Sequence, residues 1–453
     1  MSFESRNPTT GELLATYPEH SAKEIELCLQ SAWDCWTKWS RTPLSERASF
    51  LLRLADLLEE RVEEFARLIT LEMGKPIGEA RGEVKKAAFG ARHFAGEGAG
   101  YILSESIPDT PGRVVYESLG PILAIMPWNL PFWQVLRFFI PTALVGNTVV
   151  VKHAETVQGC ALALEKLVRD AGGPEGLYVN LSVQKEAIPA IIADTRIRAV
   201  TVTGSVRAGR AVAQQAGLHG KKVVLELGGS DPFVVFEDAD LAKAVQLGVT
   251  SRYSNNAQSC IAAKRFLIAE PIAELYINSF VEQAAALKVG DPLLPDTKLG
   301  PQAREDLRFA TERQVREAVA AGARVLTGGK TPDGPGYFYP PTVLVDLPHD
   351  AAIAREEFFG PVALFFTFKS QEEAIRLAND TEFGLAASVW TKDADRAKAV
   401  SARIEAGAVF VNDFVRSDPR APFGGVKGSG VGRELGALGA RELTNAKLIW
   451  EGN

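Results

Sequence analysis

The chain has 453 residues, 46% hydrophobic and 23% charged, enough for two or three globular domains with cores of their own. A net charge of −6, with Lys and Arg scattered among Asp and Glu, leaves no basic stripe for nucleic acid. Four cysteines and five dispersed histidines make neither a disulfide framework nor a metal site, and no apolar run approaches the ~20 residues that cross a bilayer.

The opening MSFESRNPTTGELLATYPEH lacks a basic-then-apolar leader, so a cytoplasmic setting is expected, with no membrane partner and no metal. Residues 22–90 read as helix-rich. Within them LSERASFLLRLADLLEERVEEFARLITLEMG carries apolar residues at three- and four-residue spacing and ends near Gly74 and Pro76. After Pro121 the texture changes to short Val- and Ile-rich runs alternating with amphipathic stretches: PILAIMPW, NTVVVKH, GLYVNLSV, AVTVTGS and KKVVLELGG. That alternation predicts βα units on a parallel sheet, hence an α/β fold. A second α/β set starts near Asp231 and includes DPFVVFE, RFLIAE, a helix over 271–288, PPTVLVDL, PVALFFTF and AGAVFVN. APFGGVKGSGVGRELG (421–436) reads as a glycine-dense loop that approaches something closely, and TNAKLIW as a terminal edge strand.

Four stretches have candidate chemistry. Cys260, in NNAQSCIAAKRF, follows small polar residues that suit a thiol at the mouth of a cleft, although a lone cysteine also packs well in a core. Glu226 ends an apolar strand before two glycines, where open α/β sheets bind ligands; its apolar neighbours should raise its pKa towards that of a general base. Asn129 lies between Pro127 and Pro131, which restrict the backbone and can aim its amide as an oxyanion donor; a turn asparagine is the plainer alternative. Gly204 and Ser205 end a strand and open a helix, so their backbone N–H groups can face a phosphate, but GxGxxG is absent.

From NPTTGE at residue 7 to the C-terminus, the chain resembles the aldehyde dehydrogenase superfamily. PWNLP, LELGGSDP, NNAQSC, EEFFGPV (356–362) and PFGGVKGSGVGRELG (422–436) match its signatures in order. The resemblance implies an α/β aldehyde dehydrogenase fold with three parts. These are a Rossmann-like cofactor domain (1–99 and 119–228), an α/β catalytic domain (229–425) and a small β oligomerisation flap (100–118 and 436–453), in a homodimer or homotetramer. It makes Cys260 the nucleophile, Glu226 the general base and Asn129 the oxyanion donor. For the dinucleotide it assigns Met126, Pro127, Trp128, Lys152, Glu155, Gly204, Ser205, Glu357 and Phe359. The Glu155 carboxylate, able to accept from ribose hydroxyls and to repel a 2′-phosphate, points to NAD with NADP possible.

PWNLPFWQVLRF, VKHA, CIAAKRF and the SDPR run (417–420) are most similar to the short bacterial succinate semialdehyde dehydrogenases. Pro131 is expected at the first helical position, with Trp133 and Arg137 four apart on one face. The resemblance makes Trp133, Arg137 and Ser417 contacts for the substrate's tail, and succinate semialdehyde the expected substrate. Trp133, Phe132 and Phe414 could instead line an apolar tunnel in a dehydrogenase of broad aldehyde specificity. Ser254 and Ala262 stand where longer members carry an arginine and a second cysteine, so no disulfide can form within this loop.

Overall fold

The computed structural model describes residues 2–452. A hairpin of β1 (Ser2–Arg6) and β2 (Leu13–Pro18) leads into helices α1 (Ala22–Trp39), α2 (Leu44–Glu60), α3 (Val62–Met73) and α4 (Ile77–Tyr101). Ser21 starts α1 through a capping box: its hydroxyl accepts from the Glu24 N–H and Glu24 accepts from the Ser21 N–H. The periodic segment is split at Arg61, whose backbone (φ −101°, ψ 23°) leaves the helical region while its guanidinium binds Glu64 and Asp170. Gly74 then closes α3 in the left-handed conformation (φ 84°), and α4 starts just after Pro76.

The first large sheet takes β5 (Pro121–Met126), β6 (Thr148–His153), β7 (Tyr178–Asn180), β8 (Ala199–Thr203) and β9 (Lys222–Glu226), all parallel, with the short Gly430–Val431 strand antiparallel on the β9 edge. The helices threaded through it are α5 (Trp133–Leu144), α6 (Gln158–Asp170), α7 (Ile188–Ala193) and α8 (Val206–Leu218). The chain runs outward from β5 through β6 to β7, then returns to lay β8 and β9 on the other side of β5. The ends of β5 and β8 therefore flank a topological switch point, where such sheets open a ligand crevice. Pro131 precedes α5 instead of opening it, because the Phe132 and Trp133 N–H groups, which begin the helix, are held by the Glu83 carboxylate at 2.8 and 2.9 Å.

A second sheet orders its seven strands 324–327, 342–345, 362–368, 263–269, 231–235, 386–390 and 408–411, parallel except the first pair. Helix α9 (Leu241–Tyr253) packs beside it. The third sheet pairs Thr444–Trp450 antiparallel with β4 (Gly112–Ser118), which pairs in turn with β3 (Glu105–Ser106). Because α4 runs on to Tyr101, that hairpin begins at Glu105. Among the described residues no helix is long and apolar enough to cross a membrane.

Candidate active site

The C-terminal ends of β5, β8 and β9 face the segments that lead into strands 263–269 and 362–368 of the second sheet. Between them lies a cavity of about 410 Å³ lined by Trp128, Asn129, Ser205, Glu226, Cys260 and Phe359, among others. Nine of the residues singled out from sequence meet there, Pro127, Gly204 and Glu357 completing the set.

Local hydrogen bonds explain how NNAQSC presents its thiol. Asn255, Asn256 and Ala257 all have positive φ (57°, 53° and 61°), a costly run that neighbouring bonds enforce. The Asn255 N–H donates to Glu79 at 2.7 Å, while the Asn256 amide donates to Gly74 and Pro301 carbonyls and accepts from the Gly300 N–H. Gln258 accepts from the Ala303 N–H, so the loop is tied down before the chain reaches Cys260. Beyond it, the buried Lys264 ammonium caps the Ser259 and Cys260 carbonyls at 2.9 and 2.6 Å and pairs with Glu357 at 3.1 Å. Burial pushes the Cys260 thiol up to about 11, with Arg137 and Lys264 acting against it.

The Asn129 amide is oriented at both ends. Its oxygen accepts from Gln134 at 3.4 Å and its nitrogen donates to the Gln258 carbonyl at 2.9 Å, which leaves one amide hydrogen unused. Glu226 is buried and neither carboxylate oxygen has a partner. Burial, then the nearby Glu434, push its pKa well above the usual carboxylate range, against the pull of Arg137 and Arg433. The glycine-dense tail is what Glu226 meets: a Cβ on Gly424 would stand 2.6 Å from its Oε1.

The cavity walls also fit a nicotinamide dinucleotide. Ser205 caps α8, accepting from the Ala208 N–H, and so leaves a helix N-terminus facing the space. Trp128 and Phe359 stand edge to face (5.8 Å, 86°), and a Cβ on Gly228 would strike the Glu357 carboxylate. Lys152 and Glu155, 3.6 Å apart, are not among the residues lining the cavity. Arg304, which sequence reading missed, lines the cavity while bonded to Asp306, close enough to Glu155 to feel its charge.

Three expected contacts sit elsewhere. Met126 is buried in the core beneath the cavity. Arg137 is 2% exposed, ion-paired to Glu434 and stacked over Phe423 at 4.4 Å; it does not line the space around Trp133 and Ser417. Phe132 packs on Phe65 in the core, so it lines no tunnel. Trp133, Ser417 and Phe414 do share a second cavity, of about 180 Å³, bordered by Ser259 and Ile261 on either side of Cys260.

A crevice at the switch point of a parallel sheet, with a thiol, a carboxyl and a fixed amide around it, is the site of an NAD(P)-dependent enzyme. The sequence matches the aldehyde dehydrogenase family over residues 1–449, and the chain belongs to that family. It is 46% identical over 452 residues to a probable succinate-semialdehyde dehydrogenase [NADP(+)] of Synechocystis sp., covering 99% of this chain and 100% of that one. To a succinate semialdehyde dehydrogenase [NAD(P)+] of Escherichia coli strain K12 it is 47% identical, covering 99% and 97%. The crystal structure of succinic semialdehyde dehydrogenase from Streptococcus pyogenes, in complex with NADP+, superposes with a TM-score of 0.97 at 35% identity, covering 100% of both chains.

Proposed function

We propose that this enzyme oxidises succinate semialdehyde to succinate, with NAD preferred and NADP accepted. The observation that carries the chemistry is the convergence of Cys260, Asn129 and Glu226 on one cavity. The Cys260 thiolate adds to the aldehyde carbon, and the carbonyl electron pair moves to an oxygen held by the free Asn129 amide hydrogen and the Cys260 N–H. A bound dinucleotide would supply the hydride acceptor; Gly204 and Ser205 would hold its pyrophosphate, Lys152 and Glu155 its adenosine ribose, and Glu357 and Phe359 its nicotinamide end. Hydride loss leaves a thioester on Cys260. Glu226 then takes a proton from water as the water oxygen adds to the thioester carbon; the C–S bond breaks and the acid departs.

Two full-length relatives that carry the succinate semialdehyde name support this substrate. The apolar side chains of Leu130, Ile261 and Phe414 in the second cavity favour one other reading, a broad-specificity aldehyde dehydrogenase. Comparing kcat/KM for succinate semialdehyde and butanal separates the two: a preference of about 10² or more is expected for the former, a carboxylate-recognising site being far more selective than an apolar one. Equal efficiencies would leave the broad-specificity reading. The same assay with NADP should give lower efficiency than with NAD, since Glu155 opposes a 2′-phosphate; parity would remove that role from Glu155.

For assembly we propose a homodimer or homotetramer built through the three-stranded sheet. The outer edge of its Thr444–Trp450 strand is open, and Leu448 and Trp450 are exposed. A monomeric mass by light scattering would overturn this.

A further inference from the structure

We infer that Lys264, at the start of strand 263–269, is a positioning residue for the reaction: it holds the backbone of Cys260 and sets a positive charge beside the thiolate, with Glu357 as its counterweight. This rests on the reading of Cys260 as the nucleophile.

All three hydrogens of the Lys264 ammonium are spent. They go to the Ser259 carbonyl at 2.9 Å, the Cys260 carbonyl at 2.6 Å and the Glu357 carboxylate at 3.1 Å. The side chain is fully buried, and the ammonium lies 5.8 Å from the centre of the Phe359 ring. One cation thus meets the residue before the thiol, the thiol's own residue and both residues read as nicotinamide contacts. A neutral donor could satisfy two backbone carbonyls, whereas burying an ammonium carries a desolvation penalty. A charge kept in the core at that penalty, against the backbone of the group that must ionise, is placed where it acts on ionisation.

Other charges face the same thiol. Arg137, from α5, is ion-paired to Glu434; Asp231, at the start of strand 231–235, is buried with one oxygen on the Ala386 N–H; Glu226 lines the same cavity. Beyond the two acids near Lys264 stand further cations, Arg252 by Glu357 and Arg265 by Asp231. Burial raises the thiol, Arg137 and Lys264 pull it back, and Glu357 and Asp231 oppose them. Removing the Lys264 cation should therefore disfavour the thiolate, and removing the Glu357 anion should favour it. A purely structural tie behaves differently, because loosening the loop in either variant opens the thiol to reagents and speeds its reactions.

The test follows alkylation of Cys260 by iodoacetamide, a neutral reagent, in the dinucleotide-free wild type, Lys264→Met and Glu357→Gln, with peptide mass spectrometry to separate Cys260 from the other cysteines. Rates are taken from pH 8 to 9, above the titration of Asp231, which burial pushes up to about 7. Moving the thiol's pKa by one unit changes the thiolate fraction tenfold and its nucleophilicity about threefold in the opposite sense, a net change of about threefold in rate. Lys264→Met should slow alkylation about three- to tenfold, and Glu357→Gln should speed it about threefold. Glutamine keeps an oxygen for the Lys264 ammonium and the Gly229 N–H, which share Oε1 of Glu357, so this variant decides alone if Lys264→Met fails to fold. Lys264→Met alkylated as fast as wild type or faster, or Glu357→Gln no faster, overturns the role of Lys264 and leaves the nucleophile standing. Complete alkylation of Cys260 that spares aldehyde oxidation overturns both.

Discussion

Replacing Cys260 with alanine should abolish aldehyde oxidation while leaving the fold and dinucleotide binding intact. The loop around it is held by atoms the substitution does not touch: Lys264 on the Ser259 and Cys260 carbonyls, the Asn256 amide on Gly74 and Pro301, and Gln258 on Ala303. Losing the nucleophile should cost about 10⁴-fold or more in kcat, as removal of a covalent catalyst does elsewhere. Glu226→Gln makes a different defect. Thiol addition and hydride loss proceed once, so NADH should appear as a burst equal to the enzyme, followed by a steady rate about 10²–10⁴ lower. Intact-mass spectrometry should then find the acyl group on Cys260. Normal turnover in either variant, or a Glu226→Gln enzyme slow from its first turnover, would sink this division of labour. The titrations set the pH dependence with a definite sign. Burial raises both the Cys260 thiol, to about 11, and Glu226, and each works only when deprotonated. Wild-type oxidation of butanal should therefore climb from pH 6 to 9.

What could be read from the sequence divides along a physical line. Cys260, Glu226, Asn129, Gly204 and Ser205 can be singled out because each falls on or beside a local feature: a strand end, a proline-bounded turn, a strand-to-helix junction. The structure gathers them because all those features fall on facing sheet ends. The spacing of Arg137 from Asn129 gives its position on α5 but not its ion-pair partner, since Glu434 lies 297 residues further on. Arg304 was invisible for the same reason: it is one of many charged helical or loop residues, and only tertiary packing turns it towards the cavity. The start of α5 also depends on a distant group, Glu83, which no local capping rule could supply.

That dependence makes Glu83→Ala the most damaging substitution expected outside the chemical groups themselves. Glu83 is 4% exposed and Lys75 fully buried; their ion pair sits beneath α5, with one Glu83 oxygen accepting the Phe132 and Trp133 N–H groups and the other facing the ammonium. Alanine strands a buried charge and uncaps a helix at once, for which about 3–5 kcal/mol is the usual loss when one partner of a buried pair is removed. The site should suffer as well, because Trp133 carries Ser417 and the turn before it carries Asn129. Denaturant unfolding separates the two contributions. Glu83→Gln keeps an acceptor for the helix but no charge for Lys75, so it should recover only part of the loss. Removing both charges with Lys75→Met and Glu83→Gln should recover more, since no lone ion is left in the core. A Glu83→Ala protein within about 1 kcal/mol of wild type would show that α5 starts without this carboxylate, and that its neighbours alone hold Trp133 in place.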